Sequence, residues 1–305
     1  MSTVAIIIVT YNSLKLLQRY LPAAAAAAEA IGASIIVVDN QSRDGTPDWL
    51  RAHYPRIHLI ANPDNLGFAA ANNIGLAQAQ GDYLLLLNPD VLISASAILA
   101  LLKALETRPD VGICGPRTYD ADGGVAVSAY GPLTPLTILW QYWGLNRIFP
   151  YAVTARFRRR CETAVEPFEV AWVQGHCLLL RRAVYEQIGG LDDRLFLFAE
   201  EPDYCERAAQ AGWKTLFVPA AEVVHDESST ISNYSYVKML HLHISMLYYF
   251  RKRRRRGAVW ALKVGFTIEL AVKWGIRRIQ WLRRNRDVTA KLSAYPRVIQ
   301  AIWRY

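Results

Sequence analysis

The stretch "YLLLLNPDVLI", Tyr83–Ile93, decides how this chain is read. Tyr83–Leu87 is an unbroken apolar run of strand length, with no polar residue at alternate positions. A strand of that kind is buried on both faces, which requires a mostly parallel sheet covered by helices on each side. Asn88, Pro89 and Asp90 then stand where the strand leaves the core. A single carboxylate at that exit raises two questions: what it binds, and whether a second carboxylate completes a metal-binding pair.

Similar runs flank it. Val4–Val9, "ASIIVVD" (33–39), "RIHLIA" (56–61) and "VGICGP" (111–116) read as further strands. Between them, Leu14–Ile31, Thr46–His53, Gly67–Ala79 and Ala95–Thr107 read as helices. The alanine run Ala23–Ala28 suits the packed middle of the first of these. This βαβ rhythm predicts an open, doubly wound α/β sheet whose ligands bind beyond the carboxyl ends of the strands. Polar clusters gather at those ends: Thr10–Tyr11–Asn12, Asp39–Asn40–Gln41–Ser42, Asp64–Asn65–Leu66–Gly67 and Asn88–Pro89–Asp90. Any one of them reads as turn and cap chemistry. Four on one sheet edge predict a binding site.

Further along, "DADGG" (120–124) predicts a hairpin turn. The 130–160 segment, rich in aromatics and Pro before Arg156–Arg160, predicts a mobile loop over the site. "FEVAWVQGHCLLLRR" (168–182) predicts a strand pair or strand-turn-strand, and Ala183–Ile188 a short helix. Pro202 opens another helix that runs to Gly212, and "TLFVPAAEVVHD" (215–226) is a final strand. Cys114, Cys161, Cys177 and Cys205 form no CxxC pair, and "MSTVAIIIVTYN" carries no signal-type apolar stretch. Both features predict reduced thiols in a cytosolic protein.

In order along the chain, "VTYN" (9–12), "VVDNQSRDGT" (37–46), "NPDNLGFAAANNIG" (62–75), "LLLLNPDV" (84–91), "GHCLLLRRAVYEQIGGLDDRLFLFAEEPDYCERAAQAGW" (175–213) and "VVHDESS" (223–229) form a pattern. It resembles family 2 glycosyltransferases of the GT-A fold, above all their bacterial rhamnosyltransferase-like members, over residues 3–230. The resemblance implies an inverting sugar transfer in surface polysaccharide synthesis. Rhamnose is the sugar it suggests, the donor would be dTDP- or UDP-linked, and the acceptor a hydroxyl on a glycan or polyprenyl-linked molecule. It further implies that Thr10, Tyr11, Asn12, Asp39, Asn65, Gly67, Asn73, Asn88 and Asp90 face the nucleotide sugar. Asp39 would serve the ribose or base, and the helix opened by Asn65 and Gly67 would offer free N–H groups. Asn73 fits a helix-packing role equally well.

A Mg2+ or Mn2+ ion would sit on Asp90, since such ions take oxygen ligands and Mg2+ is often held by one or two carboxylates plus substrate phosphates. The family's usual carboxylate pair is reduced here to Asn88-Pro89-Asp90, so His225 is a candidate further ligand or a structural strand-end residue. The general base would be the second acid of Glu200–Glu201. Glu201 stands where the family usually has aspartate, one methylene longer, and Asp203 reads as a cap or packing residue. Trp172, Gly175 and His176 would line the sugar and acceptor side, with Trp172 equally able to be a core residue.

Charge divides the chain. Residues 251–305 hold sixteen of the 35 Lys and Arg but two of the 26 Asp and Glu, so this tail carries +14 and the remainder −5. That asymmetry predicts a catalytic domain at 1–232 and a basic helical region at 233–305 with an anionic partner. Lys263, Glu269 and Lys273 interrupt the tail too often for a spanning helix. On a helical wheel Val264, Ile268, Ala271, Val272, Ile279 and Leu282 share one face, and Lys263, Lys273, Arg277 and Arg284 the other. With the cluster Arg251–Arg256, residues 249–287 predict an interfacial helix on an anionic membrane, or one packing its apolar face on the domain. The first reading predicts a cytoplasmic protein peripheral on the inner face of the cell membrane. A nucleotide-binding oxidoreductase lacks its signature, because no GxGxxG follows the first strand. A nucleic-acid-binding protein would also use the arginines, but no nucleic acid is expected if the tail binds lipid.

Overall fold

The computed structural model describes residues 2–145, 152–226, 235–284 and 289–305. The chain opens with β1 (Val4–Thr10), α1 (Leu14–Ile31), β2 (Ser34–Asp39), α2 (Thr46–His53), β3 (His58–Ala61), α3 (Phe68–Gln78) and β4 (Tyr83–Leu87). These four strands lie in the order β3-β2-β1-β4, all parallel, with Thr10 opposite Asp39 at the carboxyl edge. Along β1, Ile6 and Ile8 face one side of the sheet with Leu17 and Leu21 of α1. Ala5 and Ile7 face the other with Leu76 of α3. That two-sided burial is why the strands are continuous apolar runs rather than alternating ones. The alanine run packs Ala24, Ala27 and Ala28 into the core, and Gly32 ends α1 in the left-handed conformation.

Beyond β4 come β5 (Val91–Leu92), α4 (Ala95–Thr107), β6 (Val111–Tyr119), β7 (Val125–Ala126), β8 (Ala129–Tyr130), α5 (Pro135–Tyr142) and α6 (Ala152–Thr163). Then follow β9 (Phe168–Val170), β10 (Trp172–Val173), β11 (Cys177–Arg181), α7 (Arg182–Ile188), α8 (Glu200–Gln210) and β12 (Lys214–His225). The sheet continues β4-β11-β6-β12-β5, with β11 antiparallel to both its neighbours and β5 antiparallel to β12. The "VGICGP" strand therefore does not adjoin β4, because the later and equally apolar "CLLLR" strand lies between them.

Two expectations need correction. Residues 168–182 follow the strand-turn-strand alternative and are not a strand pair: β9 joins β12, β10 joins β8, and β11, after a turn, joins β4 and β6. The 130–160 segment holds two helices, α5 and α6, with α5 opened by a capping box between Thr134 and Thr137. Its stretch 146–151 lies outside the described residues, as does Ser228.

The chain forms two compact units. The first comprises Met1–Pro132, Ala155–Phe196 and Glu200–Thr230, and the second Leu133–Thr154, Leu197–Ala199 and Ile231–Tyr305. The second contains α9 (Ser235–Lys252), α10 (Arg256–Arg284) and α11 (Thr289–Arg304) together with α5. The Arg251–Arg256 cluster is the turn between α9 and α10, where Arg254 takes a φ of 55°. Inside α10, Leu262, Phe266 and Leu270 are buried with Leu247 and Phe250 of α9 and Val298 and Ile302 of α11. The stripe named from the sequence is a different face. Val264, Ile268, Val272, Ile276 and Ile279, with Trp260, are 41–62% exposed. The helix thus has two apolar faces, and the helical wheel named only the exposed one. The side chains of Leu282 and Arg284 lie outside those described.

A buried acid fixes the rotation of α10. Glu269 lies 3.3 Å from His243 Nε2, pairs with Lys273 one turn on, and is almost fully buried. Lys273 Nζ also donates to the Tyr142 carbonyl at 2.9 Å. Removing the acid breaks both of its contacts and leaves the buried His243 Nε2 without this acceptor, at a cost of about 3 kcal/mol. Glu269→Ala should therefore lower the urea midpoint of the helical unit, whereas Val264→Ser on the exposed stripe should leave it nearly unchanged.

Candidate active site

One end of the candidate site is built where β1 and β2 stop side by side. Asp39 is buried and accepts hydrogen bonds from Thr10 Oγ1 and from the Ser42 backbone N–H, both at 2.9 Å. Thr10 thus orients Asp39. Asn12 has a φ of 51°, a left-handed conformation asparagine tolerates. Its backbone N–H donates to Ser42 Oγ and its Oδ1 accepts from the Arg43 N–H, each at 2.8 Å. Tyr11, between them, is half-buried. Asn40 Nδ2 donates to the Gly67 carbonyl at 3.1 Å, joining this edge to the start of α3.

At that start the sequence expectation is corrected in part. Asn65 Oδ1 accepts the Gly67 N–H at 3.0 Å, and the Phe68 N–H donates to the Phe196 carbonyl at 2.8 Å. These two N–H groups are engaged by the protein and are not free for phosphate. Gly67 is required twice over, by a φ of 85° and because a Cβ would come within 2.6 Å of Phe196. Asn73 is also corrected. Its Nδ2 donates to the Leu191 carbonyl and its Oδ1 accepts the Leu191 N–H, both at 2.8 Å. Both ends of its amide brace α3 against the 189–191 turn, the packing alternative of the two the sequence left open.

Asp90 is placed by strand pairing. β5 pairs with the end of β12, setting Val91 opposite His225, and the Asp226 N–H donates to the Asp90 carbonyl at 3.0 Å. Asp90 Oδ1 and His225 Nε2 are brought to 3.2 Å. Asp90 is 6% exposed, and its Oδ1 makes no hydrogen bond of normal geometry despite that approach. A buried carboxylate oxygen without a donor is unfavourable unless a ligand supplies the missing interaction. Asp226 is anchored elsewhere, by Tyr20 OH at 2.7 Å and Arg19 Nη1 at 3.1 Å. Burial and that bond push the Tyr20 pKa up to about 12, so Tyr20 remains a donor.

His176 belongs to this end of the site. Its ring stacks on His225 at 4.4 Å and 11°, and its Nε2 lies 2.8 Å from Thr118 Oγ1. Its carbonyl accepts the Asn88 N–H at 2.8 Å. Burial, with the His225 charge second, holds its pKa well below the usual value, so the ring is neutral. A neutral, fully buried imidazole with a hydroxyl partner supports the Asp90–His225 pair; it does not line an open sugar face. Among the described residues no group of three or more His, Cys, Asp or Glu gathers as a metal cage. The donor set is Asp90 and His225, with the carbonyl of the Asn88 side chain nearby in sequence. This suits a divalent ion whose shell is completed by diphosphate oxygens.

The acid pair follows two strained residues. Phe198 and Ala199 both have φ of 70°, rare for residues with a Cβ. Glu200 then enters α8 at 3% exposure, with Oε2 unpartnered. Burial first, and the Glu201 charge second, push its pKa well above the ordinary range. Glu201 is half-buried, and its Oε1 accepts the Gly175 N–H at 2.9 Å. Burial raises its pKa, opposed by that bond and by its own backbone N–H. A Cβ on Gly175 would lie 2.7 Å from Glu201 Cγ, so only glycine permits this contact. Asp203 is fully buried and pairs with Arg207 at 2.9 Å, a packing role.

Trp172 is half-buried. Its indole N–H donates to the Gly131 carbonyl at 3.1 Å and its ring stacks on Tyr130 at 4.2 Å, so one ring face is already covered. One run of contacts therefore links both ends of the site: Glu201 to Gly175, its neighbour His176 to His225, and His225 to Asp90. Sequence reading missed Thr118 and the Arg19–Tyr20 anchor. Neither sits in a motif, and only the sheet order brings them near.

The family model described as Glycosyl transferase family 2 matches residues 5–189. The N-acetylglucosaminyl-diphospho-decaprenol L-rhamnosyltransferase of Mycobacterium tuberculosis is 32% identical over 305 residues, covering 94% of this chain and 96% of that protein. Rhamnosyltransferase WbbL of Escherichia coli K12 is 26% identical over 215 residues, 66% of this chain and 76% of that protein. A mannosyltransferase from Pyrobaculum calidifontis, solved with GDP-Man and Mn2+, superposes with a TM-score of 0.58 at 18% identity, over 98% of this chain and 86% of that one. The fold likeness bears out the GT-A architecture expected from the motifs.

Glu200 gives a stability test of this geometry. A carboxyl whose folded pKa exceeds its unfolded one binds more protons when folded, so stability falls as pH rises above the usual glutamate value of 4.5. Glu200→Gln should raise the urea midpoint at pH 8 by roughly 1–2 kcal/mol equivalent and flatten the decline between pH 5 and pH 8. An unchanged pH slope would count against the burial of an ionisable group there.

Proposed function

Because the chain belongs to glycosyl transferase family 2, we propose that it transfers rhamnose, with inversion, from a dTDP- or UDP-linked donor to a hydroxyl of a polyprenyl-diphosphate-linked acceptor. As a member of that family it is a glycosyltransferase. The reading is carried by the buried Asp90 Oδ1, which lacks a hydrogen bond and faces His225 on the ligand edge of the sheet. Of its finer parts, rhamnose is supported by the names of both relatives and the lipid-linked acceptor by that of the M. tuberculosis protein.

Asp39, held by Thr10 and Ser42, presents a fixed acceptor edge to ribose or base. Asp90 and His225 would hold a Mg2+ or Mn2+ ion, which when bound supplies counter-charge to the diphosphate. Glu201 takes the proton of the acceptor hydroxyl as the oxygen bonds to the anomeric carbon. The bond to the donor's diphosphate breaks on the opposite face, and the diphosphate leaves with the electron pair. Gly175 fixes the Glu201 carboxylate by its N–H, and burial keeps that carboxylate basic enough to take the proton. Neutral His176 buttresses His225 without adding positive charge.

Residues 249–287 would rest on an anionic membrane at the cytoplasmic face. The outer stripe of α10 supports this, since it leaves five aliphatic residues and Trp260 exposed beside Arg277 and Arg278. No helix of the described residues is long and apolar enough to cross a membrane.

Three measurements test the reading. In a thermal-shift panel, one nucleoside diphosphate should stabilise the protein only with Mn2+, and Asp90→Ala should abolish that stabilisation. Glu201→Gln should lower kcat by about 10²–10⁴ while donor binding persists. The base must be ionised and its pKa is raised, so the acid limb of the wild-type rate profile should lie above the usual glutamate value of 4.5. A limb at or below 4.5 would contradict the assignment.

A further inference from the structure

The helical unit contains a cleft of about 560 Å³ between α9 and α11, none of whose lining residues has been assigned a role above. We propose that this cleft binds the diphosphate and first prenyl units of the lipid-linked acceptor. The proposal rests on the lipid-acceptor reading above and gives it a second binding site.

The lining is amphipathic. From α11, Arg297 and Arg304 contribute two guanidinium groups, and no Asp or Glu side chain lines the cleft; Tyr305, also in the lining, accepts a hydrogen bond from Arg251 Nη1 through its main-chain oxygen at 2.7 Å. Seven residues separate them, two helical turns or about 10.5 Å, so both lie on one face and their long side chains can converge on one ligand. From α9, Leu240 and Ile244 contribute apolar surface one turn apart. The Arg297 guanidinium lies 4.4 Å from the Tyr236 ring centroid, a contact that orients the fork without neutralising it. Among the described residues no carboxylate pairs with either arginine. Burial lowers the pKa of His241, so the positive charge of the cleft comes from the arginines.

Two unpaired guanidinium groups suit a diphosphate, which has two anionic phosphates for bidentate contacts. A bilayer phosphodiester offers one charge. The adjoining apolar wall distinguishes a lipid diphosphate from a free one. Continuity with the exposed apolar stripe points the same way. Trp303, next to Arg304, packs edge-on against Trp260 at 5.6 Å, and both are exposed. The last turn of α11 thus borders both the cleft and the surface proposed to rest on lipid.

The test is flotation of the full chain with phosphatidylcholine vesicles doped with undecaprenyl diphosphate, beside vesicles doped with phosphatidylglycerol. Arg297→Gln/Arg304→Gln should weaken binding to the prenyl-diphosphate vesicles by roughly tenfold or more. Arg277→Gln/Arg278→Gln removes the same charge from α10 and should weaken both vesicle types alike. Nucleotide-dependent thermal stabilisation should survive in both variants, showing that they fold. Equal losses in the two variants, an equal loss of the cleft variant on both vesicle types, or no loss would overturn the site. Transfer assays separate the two readings. Wild-type protein that binds the lipid through the cleft but glycosylates no prenyl-linked acceptor sinks the functional reading alone. A cleft variant that binds and glycosylates the lipid as wild type does sinks the cleft alone.

Discussion

The antiparallel pairing of β11 with β4, Cys177 opposite Leu87, is the contact on which the candidate site depends. It inserts a strand from late in the chain into a sheet begun by early ones. The residues just before β11 are Gly175 and His176, so the pairing delivers them to the exit of β4, where the Asn88 N–H meets the His176 carbonyl. Gly175 then faces Glu201 and His176 faces His225. A one-residue slip would turn every side chain of β11 to the opposite face of the sheet. It would also separate Glu201 from the Asp90–His225 pair. The apolar run Leu178–Leu180, buried on both faces, holds the register because any shift leaves its ends mispaired.

The acids of the first unit differ in how they are satisfied. Asp39, Asp203 and Asp226 have donors from the protein and act as fixed charges or braces. Asp90 Oδ1 and Glu200 Oε2 have none. Glu201 lies between these cases, with one backbone donor and partial exposure. The strained turn at Phe198 and Ala199 stands directly before the acid pair. In the second unit Ser245 Oγ donates to the Leu197 carbonyl at 2.8 Å, which ties down the start of that turn.

The helical unit applies the same physics to a surface. Glu269, buried between His243 and Lys273, cannot turn outward without breaking both contacts, so the inner face of α10 is fixed and the aliphatic stripe is left outside. A long helix with two apolar faces can pack and still present an interface to lipid. A helix with one face must choose.

The sequence by itself determined the parallel half of the sheet, because continuous apolar runs of strand length admit little else. It also determined the polar edge, with Asp39, Asp90 and Glu201 singled out by motif order. It could not separate a polar residue that faces ligand from one that braces the chain. Asn73 and Asn65 bond to backbone groups, and for Asn73 these lie more than a hundred residues away. It could not place His176 with Thr118 and His225, since β11, β6 and β12 become neighbours only when the sheet closes in its own order. Nor could it tell which apolar face of α10 is covered, because periodicity records the spacing of side chains and not what lies opposite them. Those decisions belong to the tertiary structure, where pairing between distant strands and burial of single charges set which atoms meet.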